Sequence, residues 1–160
     1  MGFQKLSLKG RALRLLAQRE HSRSELEAKL ARHVQEGEDL AAILDELQAK
    51  DFINPARVAE SVVHLRAPRL GTQRVLQELR RKGLDEELVR DAARQLAASE
   101  HERALAVWRQ RFGTAPPATT AQERARQMRF LAARGFASDA VRRVMRSAAA
   151  GEDGEAGGWE

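Results

Sequence analysis

The 160-residue sequence contains no cysteine. That excludes a disulfide scaffold, a thiol nucleophile and cysteine-based metal sites. Tyrosine is also absent, aromatic residues make up 4% of the chain, and there are only 4 prolines. Isoleucine, valine and threonine together number 15. Sandwiches and barrels need β-branched and aromatic side chains on their pleated faces, so such folds are excluded. No apolar run approaches the roughly 18 residues that a membrane-spanning helix requires. Residues 1–6 lack the long apolar stretch of a signal peptide. A soluble, cytoplasmic protein is expected.

What is present points to helices. Of the 42% hydrophobic residues, 28 are alanine, and Leu, Ile, Val and Phe together number 35. Ala, Leu, Arg, Glu and Gln dominate, all of them strong helix formers. Leu6, Leu13, Leu16 and Ala17 share one helical stripe over residues 6–19, widened by Leu8, Ala12 and Leu15. Ser22 and Glu25 have capping-box spacing ahead of a helix burying Leu26 and Leu30. Leu40, Ile43, Leu44 and Leu47 mark a third helix over about 39–50. Asn54-Pro55 reads as a helix start, with Val58, Val62 and Leu65 following. Gly71-Thr72 opens a helix with Val75, Leu76 and Leu79, which Gly83 terminates. Asp85, Glu86 and Glu87 suit the start of the next, which buries Leu88, Val89, Ala92 and Leu96. A seventh carries Leu105, Trp108 and Phe112, more suited to a core than to a stacking platform. Residues 113–119, with Pro116-Pro117, form a linker. Thr120 and Glu123 repeat the capping-box spacing before Met128 and Leu131. Gly135 and Phe136 follow, and Ser138-Asp139 opens a last helix.

These nine expected helices fall into three groups of three. Adding 52 to Leu76, Leu79, Gly83, Leu84 and Val89 gives Met128, Leu131, Gly135, Phe136 and Val141. Adding 49 to Leu26, Leu30, Leu40, Ile43, Leu44 and Leu47 gives Val75, Leu79, Val89, Ala92, Ala93 and Leu96. Val34 takes the glycine position in the first group, so that turn must differ. A period near 50 residues indicates an all-α, elongated tandem array of three three-helix repeats. Expected boundaries are 1–53, 54–98 and 99–149, with a disordered acidic tail over 150–160.

Charge alternates in blocks. Residues 1–33 hold 8 basic and 3 acidic side chains, 34–63 hold 2 and 7, and 64–83 hold 6 and 1. Residues 84–102 hold 2 and 6, 103–146 hold 10 and 2, and the remainder has 4 acidic groups and no basic one. The net charge is +5. Folding that gathers the positive blocks on one face would suit a polyanion or an acidic protein surface.

No catalytic or metal-binding constellation is present. His21, His33, His64 and His101 do not pair at metal-ligand spacing, and there is no phosphate loop or nucleophile motif. Ser22 and Ser24 read as helix-start residues. No cofactor is expected, and the chain is read as a non-enzyme. The candidate contacts are Arg66, Arg69, Arg74, Arg80, Arg81 and Lys82 in the second repeat. In the third they are Arg124, Arg126, Arg129, Arg134, Arg142 and Arg143, with Arg146 nearby. Arginine's planar fork suits carboxylate or phosphate better than a lysine point charge.

Arg19-Glu20-His21-Ser22-Arg23-Ser24-Glu25-Leu26, followed by Lys29-Leu30, resembles the R-x-H-S-x-x-E-L-x-x-K-L signature of the RecX regulatory proteins. Phe52-Ile53-Asn54, Arg69-Leu70-Gly71, Arg74-Val75 and the run from Leu79 to Leu84 resemble that family's second unit and its approach. Arg134-Gly135-Phe136 resembles its third. The match spans about residues 6–146. Pro55 departs from a commonly acidic position, and Arg69 stands before Leu70-Gly71 where Lys-Gly with an intervening aromatic is common. The resemblance implies a cytoplasmic modulator of RecA recombinase that lies along the groove of the RecA–DNA filament, and a monomer is expected. There it would limit filament growth, ATP hydrolysis, strand exchange and coprotease activity in the SOS response. Without the resemblance, an all-helical DNA-binding protein with no recombinase partner is the other reading of the same charges.

Overall fold

Helix formers and capping residues set the architecture. The computed structural model describes residues 5–153, with side-chain surroundings up to residue 150. All regular structure among them is helical: α1 Leu8–Gln18, α2 Arg23–Leu30, α3 Leu40–Ala49, α4 Pro55–Arg66, α5 Thr72–Arg81, α6 Glu86–Phe112, α7 Ala121–Ala133 and α8 Ser138–Asp153. A short 3-10 turn, Ala31–His33, follows α2.

Each expected cap is made. Ser22 Oγ accepts from the Glu25 backbone N–H while Glu25 accepts from the Ser22 N–H, a reciprocal box at the start of α2. Thr120 and Glu123 do the same for α7. Asn54 Oδ1 accepts from the Arg57 N–H at 3.1 Å ahead of α4, and Asp85 from the Leu88 N–H at 3.0 Å ahead of α6. Gly83 and Gly135 have φ of 76° and 92°, a conformation that costs a β-carbon dearly. Val34, at the matching place in the first repeat, is extended, and the 3-10 turn makes the exit instead.

Eight α-helices are present among the described residues rather than nine. The two helices expected on either side of residue 98 are one, α6, 27 residues long. Ala97, Ala98, Ser99, Glu100, His101 and Glu102 include no glycine or proline, so nothing interrupts the backbone ladder. The expected boundary at 98 therefore lies inside a helix. The expected tail is helical as far as Asp153, and its remainder lies outside the described residues.

Two compact units are present. One is built from the described residues up to Val62 together with Glu78–Val89, the other from Val63–Gln77 together with residues from Arg90 onward. In the first, Leu8, Ala12, Leu26, Leu30, Leu44, Leu47 and Ile53 form a buried cluster, with Leu13, Leu15, Leu16, Leu40 and Ile43 packed around it. Leu6, expected on the inner stripe, is 45% exposed, and Leu8 takes its place. In the second, Ala104, Val107, Leu131, Phe136, Ala140, Val141 and Val144 form the cluster, flanked by Leu105, Trp108 and Phe130.

The repeat offsets hold in burial. Leu79 and Leu131 are both fully buried, as are Val75 and Leu26, while Leu84 and Phe136 are buried just after the two glycines. The match is incomplete: Leu40, Ile43 and Ala93 are half-buried where their counterparts Val89, Ala92 and Leu44 are buried, and Met128 is exposed where its counterpart Leu76 is buried. The neighbouring Gln127 is buried instead and accepts a 2.9 Å hydrogen bond from Trp108 Nε1. That bond supplies the partner a half-buried indole N–H needs.

Candidate cationic interface

The candidate arginines and lysine divide according to what their charged ends touch. Lys82 is only 17% exposed at its side chain and donates to Glu25 Oε1 at 2.9 Å. Glu25 also accepts from Arg19 at 2.7 Å. Burial pushes the Glu25 carboxyl up, but Arg19, Lys82 and the Ser22 N–H outweigh it and hold it at about 2. Lys82 is thus a structural anchor for the end of α5. Arg80 pairs with Glu86 at 3.2 Å, and Arg81 is exposed with no ion pair among the described residues. All three also suit the negative end of the helix dipole.

In the second unit, the Gly71 N–H donates to the Arg134 carbonyl at 2.7 Å and the Gln73 N–H to that of Gly135 at 3.2 Å. Arg74 donates to the Ala133 carbonyl at 2.8 Å. These bonds tie the start of α5 to the end of α7. Gly71 is required there, because a β-carbon would lie 2.2 Å from the Gly135 carbonyl carbon and the Phe136 nitrogen.

Arg103, outside the candidate set, is the most engaged cation. Its guanidinium donates to the carbonyls of Ala67, Leu70 and Leu96 and to Thr72 Oγ1, at 2.7–3.1 Å. Burial lowers its pKa, opposed by the nearby Glu100. Glu100 itself accepts from Thr72 Oγ1 at 2.9 Å and from the Ala137 N–H at 3.0 Å.

The remaining charges face solvent, and three of them converge. Arg69, Arg111 and Arg134 line a groove of about 330 Å³ whose apolar wall is Val107 and Phe130. The Arg134 guanidinium lies 4.9 Å from the Phe130 ring centroid and donates to the Arg69 carbonyl at 3.4 Å. Phe130 is braced edge-on by Phe112, at 5.3 Å. Stacking on the ring presents Arg134 as a flat, pre-ordered fork. Arg126 lies one turn before Phe130 on α7, extending the stripe Arg126, Phe130, Arg134. Arg111 was missed in the sequence, although its four-residue spacing from Val107 puts the two on one helix face.

Elsewhere, Arg124 donates to the Thr119 carbonyl at 3.4 Å and Arg142 pairs with Asp139. Arg66 is exposed at the end of α4. Arg126, Arg129, Arg143 and Arg146 are exposed and make no ion pair among the described residues. No group of three or more His, Asp or Glu among the described residues could hold a metal ion, and no described helix is long and apolar enough to cross a membrane. The arrangement offers hydrogen-bond donors and positive charge to an acidic surface.

Comparison with known proteins finds three family models matched in succession along the chain. Family models described as RecX first, second and third three-helix domains match residues 9–47, 56–92 and 98–145, in that order. The chain is similar to the regulatory protein RecX of Leptothrix cholodnii, 54% identical over 143 residues that cover 89% of this chain and 90% of the relative. It is also similar to that of Herminiimonas arsenicoxydans, 47% identical over 153 residues covering 96% and 100%. The crystal structure of RecX from Lactobacillus salivarius shares the fold with a TM-score of 0.71 at 20% identity, covering 88% of this chain and 94% of that one.

Proposed function

Because the chain belongs to the RecX family of regulatory proteins, we propose that it restrains a RecA-type recombinase by binding the recombinase–DNA filament. It acts there without catalysis of its own, as a monomer in the cytoplasm. Bound, it limits filament growth and with it ATP hydrolysis, strand exchange and coprotease activity. The observation that carries the reading is the convergence of Arg69, Arg111 and Arg134 on one groove. Three arginines line this groove, Arg134 over the Phe130 ring and Arg111 over the Phe112 ring, and no carboxylate is among the lining residues, which supports a contact surface rather than a neutralised face. Their charge is complementary to an acidic filament surface. Three repeated domains on one chain multiply modest contacts through effective concentration.

The test is the single-stranded-DNA-dependent ATPase of the cognate recombinase with this protein titrated in. Inhibition that saturates is expected, and Arg69→Glu with Arg134→Glu should weaken it at least about tenfold, about 1.4 kcal/mol. Absence of inhibition at any ratio would overturn the proposal. A steeply salt-dependent affinity for bare DNA combined with no effect on the ATPase would favour the recombinase-free reading.

A further inference from the structure

A second cationic cleft lies in the first unit, at a place where the sequence reading put no contact. Arg11 and Arg14 of α1, Lys29 of α2, and Arg32 and His33 of the 3-10 turn line a cleft of about 440 Å³. Leu6 and Leu15 contribute its apolar wall, with Ala28 and the buried Leu30 completing the lining. No carboxylate is among the lining residues. Arg11, Arg14 and Arg32 form no ion pair among the described residues.

Two internal contacts show what the cleft lacks. The buried His21 donates from Nδ1 to the Arg19 carbonyl at 3.0 Å, leaving Nε2 to accept from Lys29 Nζ at 3.1 Å. Lys29 therefore leans on a neutral ring, and its charge stays uncompensated. Arg32 Nε donates to His33 Nε2 at 3.3 Å, which occupies the acceptor nitrogen of that imidazole. Burial, and then the positive charges of Arg11, Arg32 and Lys5, push the His33 pKa below its ordinary value. The charged side chains thus offer donors and almost no acceptor. A peptide brings backbone N–H donors that would find no side-chain partner there. The DNA backbone brings only acceptors, with a charge on every phosphate.

We propose that the cleft formed by α1, α2 and the 3-10 turn is a DNA contact that takes the phosphodiester backbone, with sugar edges against Leu6 and Leu15. The guanidinium groups of Arg11, Arg14 and Arg32 each engage phosphate oxygens, and Lys29 adds a point charge. This contact is independent of the recombinase reading, because it operates on bare DNA.

The experiment uses the full chain and a fluorescein-labelled single-stranded oligothymidylate, read by anisotropy across a salt series. Replacing Arg11, Arg14 and Arg32 with alanine should weaken binding at least about tenfold. The slope of log affinity against log salt should become shallower by about 2, as expected for three lost phosphate contacts on a single strand. If circular dichroism shows that this triple variant loses helix, Arg14→Glu, at an exposed position, carries the same prediction at about threefold. In parallel, the His33 imidazole is titrated by NMR with and without oligonucleotide. Bound phosphate should raise its midpoint, since an anion cancels the surrounding positive field. Unchanged affinity and slope in a folded variant, or an unmoved His33 midpoint at saturation, would overturn the proposal. It would also be overturned if a polyglutamate of matched charge bound more tightly and lost that binding in the variant, making the occupant an acidic peptide.

Discussion

Glu25 illustrates how much one side chain can carry. It closes the capping box of α2, and it pairs with Arg19 and with Lys82, 57 residues along the chain. Its folded pKa of about 2 lies below the ordinary value of 4.5. The stability it contributes is therefore complete above pH 4.5 and is lost as the pH falls toward 2. Denaturant unfolding should show that loss, and Glu25→Gln should both lower stability at neutral pH and flatten the acid dependence. His21 adds in the same direction. Burial, followed by Arg19 and Lys29, lowers its pKa, so its contribution is present above the ordinary value of 6.5 and declines below it. Gly71 is the other decisive position. Gly71→Ala drives a methyl into the backbone at Gly135 and Phe136, which cannot yield as a side chain can. A loss of about 3 kcal/mol is expected on unfolding. Leu79→Ala, at a fully buried site, should cost about 2–5 kcal/mol on the same measurement.

At the scale of elements, local chemistry was written openly in the sequence. Ser22–Glu25, Thr120–Glu123, Asn54 and Asp85 announced helix starts, and Gly83 and Gly135 announced ends, because each acts on backbone groups three or four residues away. What escaped was long-range or negative. A periodicity of three invited a break near residue 98, whereas continuity there requires only the lack of a breaker. Ala98→Gly should cost about 1 kcal/mol and Ala98→Pro at least about 3. Both would be nearly silent if two separate helices met there, and thermal unfolding separates the cases. The site was legible in part for the same reason. Charge along the chain is visible, but its partner is not. Lys82 is bound to Glu25 and Arg74 to the Ala133 carbonyl, while the overlooked Arg111 lies over the Phe112 ring and lines the groove with Phe130.

For the whole molecule, the arginines and lysines sort into those whose charged ends are tied to other groups of the fold and those whose charged ends are exposed. Reversing Arg80, Arg81 and Lys82 together would confuse the two roles. Lys82→Glu places a carboxylate against Glu25 and should lower the melting temperature by several degrees. Arg81→Gln, which removes the charge at an exposed position without placing a carboxylate at the end of α5, should lower the melting temperature far less than Lys82→Glu, so a weakening of recombinase inhibition out of proportion to that small shift reports contact. Melting curves and ATPase inhibition measured on both variants test that separation.

The unbroken run of α6 leaves its own mark on how such a chain can change. Repeat proteins commonly absorb gained or dropped residues where one module hands over to the next. Here the handover is rigid backbone. One extra residue at position 98 would rotate Ala104 and Val107 by about 100° about the helix axis, away from the cluster they share with Leu131. Drift in length should therefore collect in residues 113–119, outside any helix, and be purged from the stretch between Leu96 and Ala104.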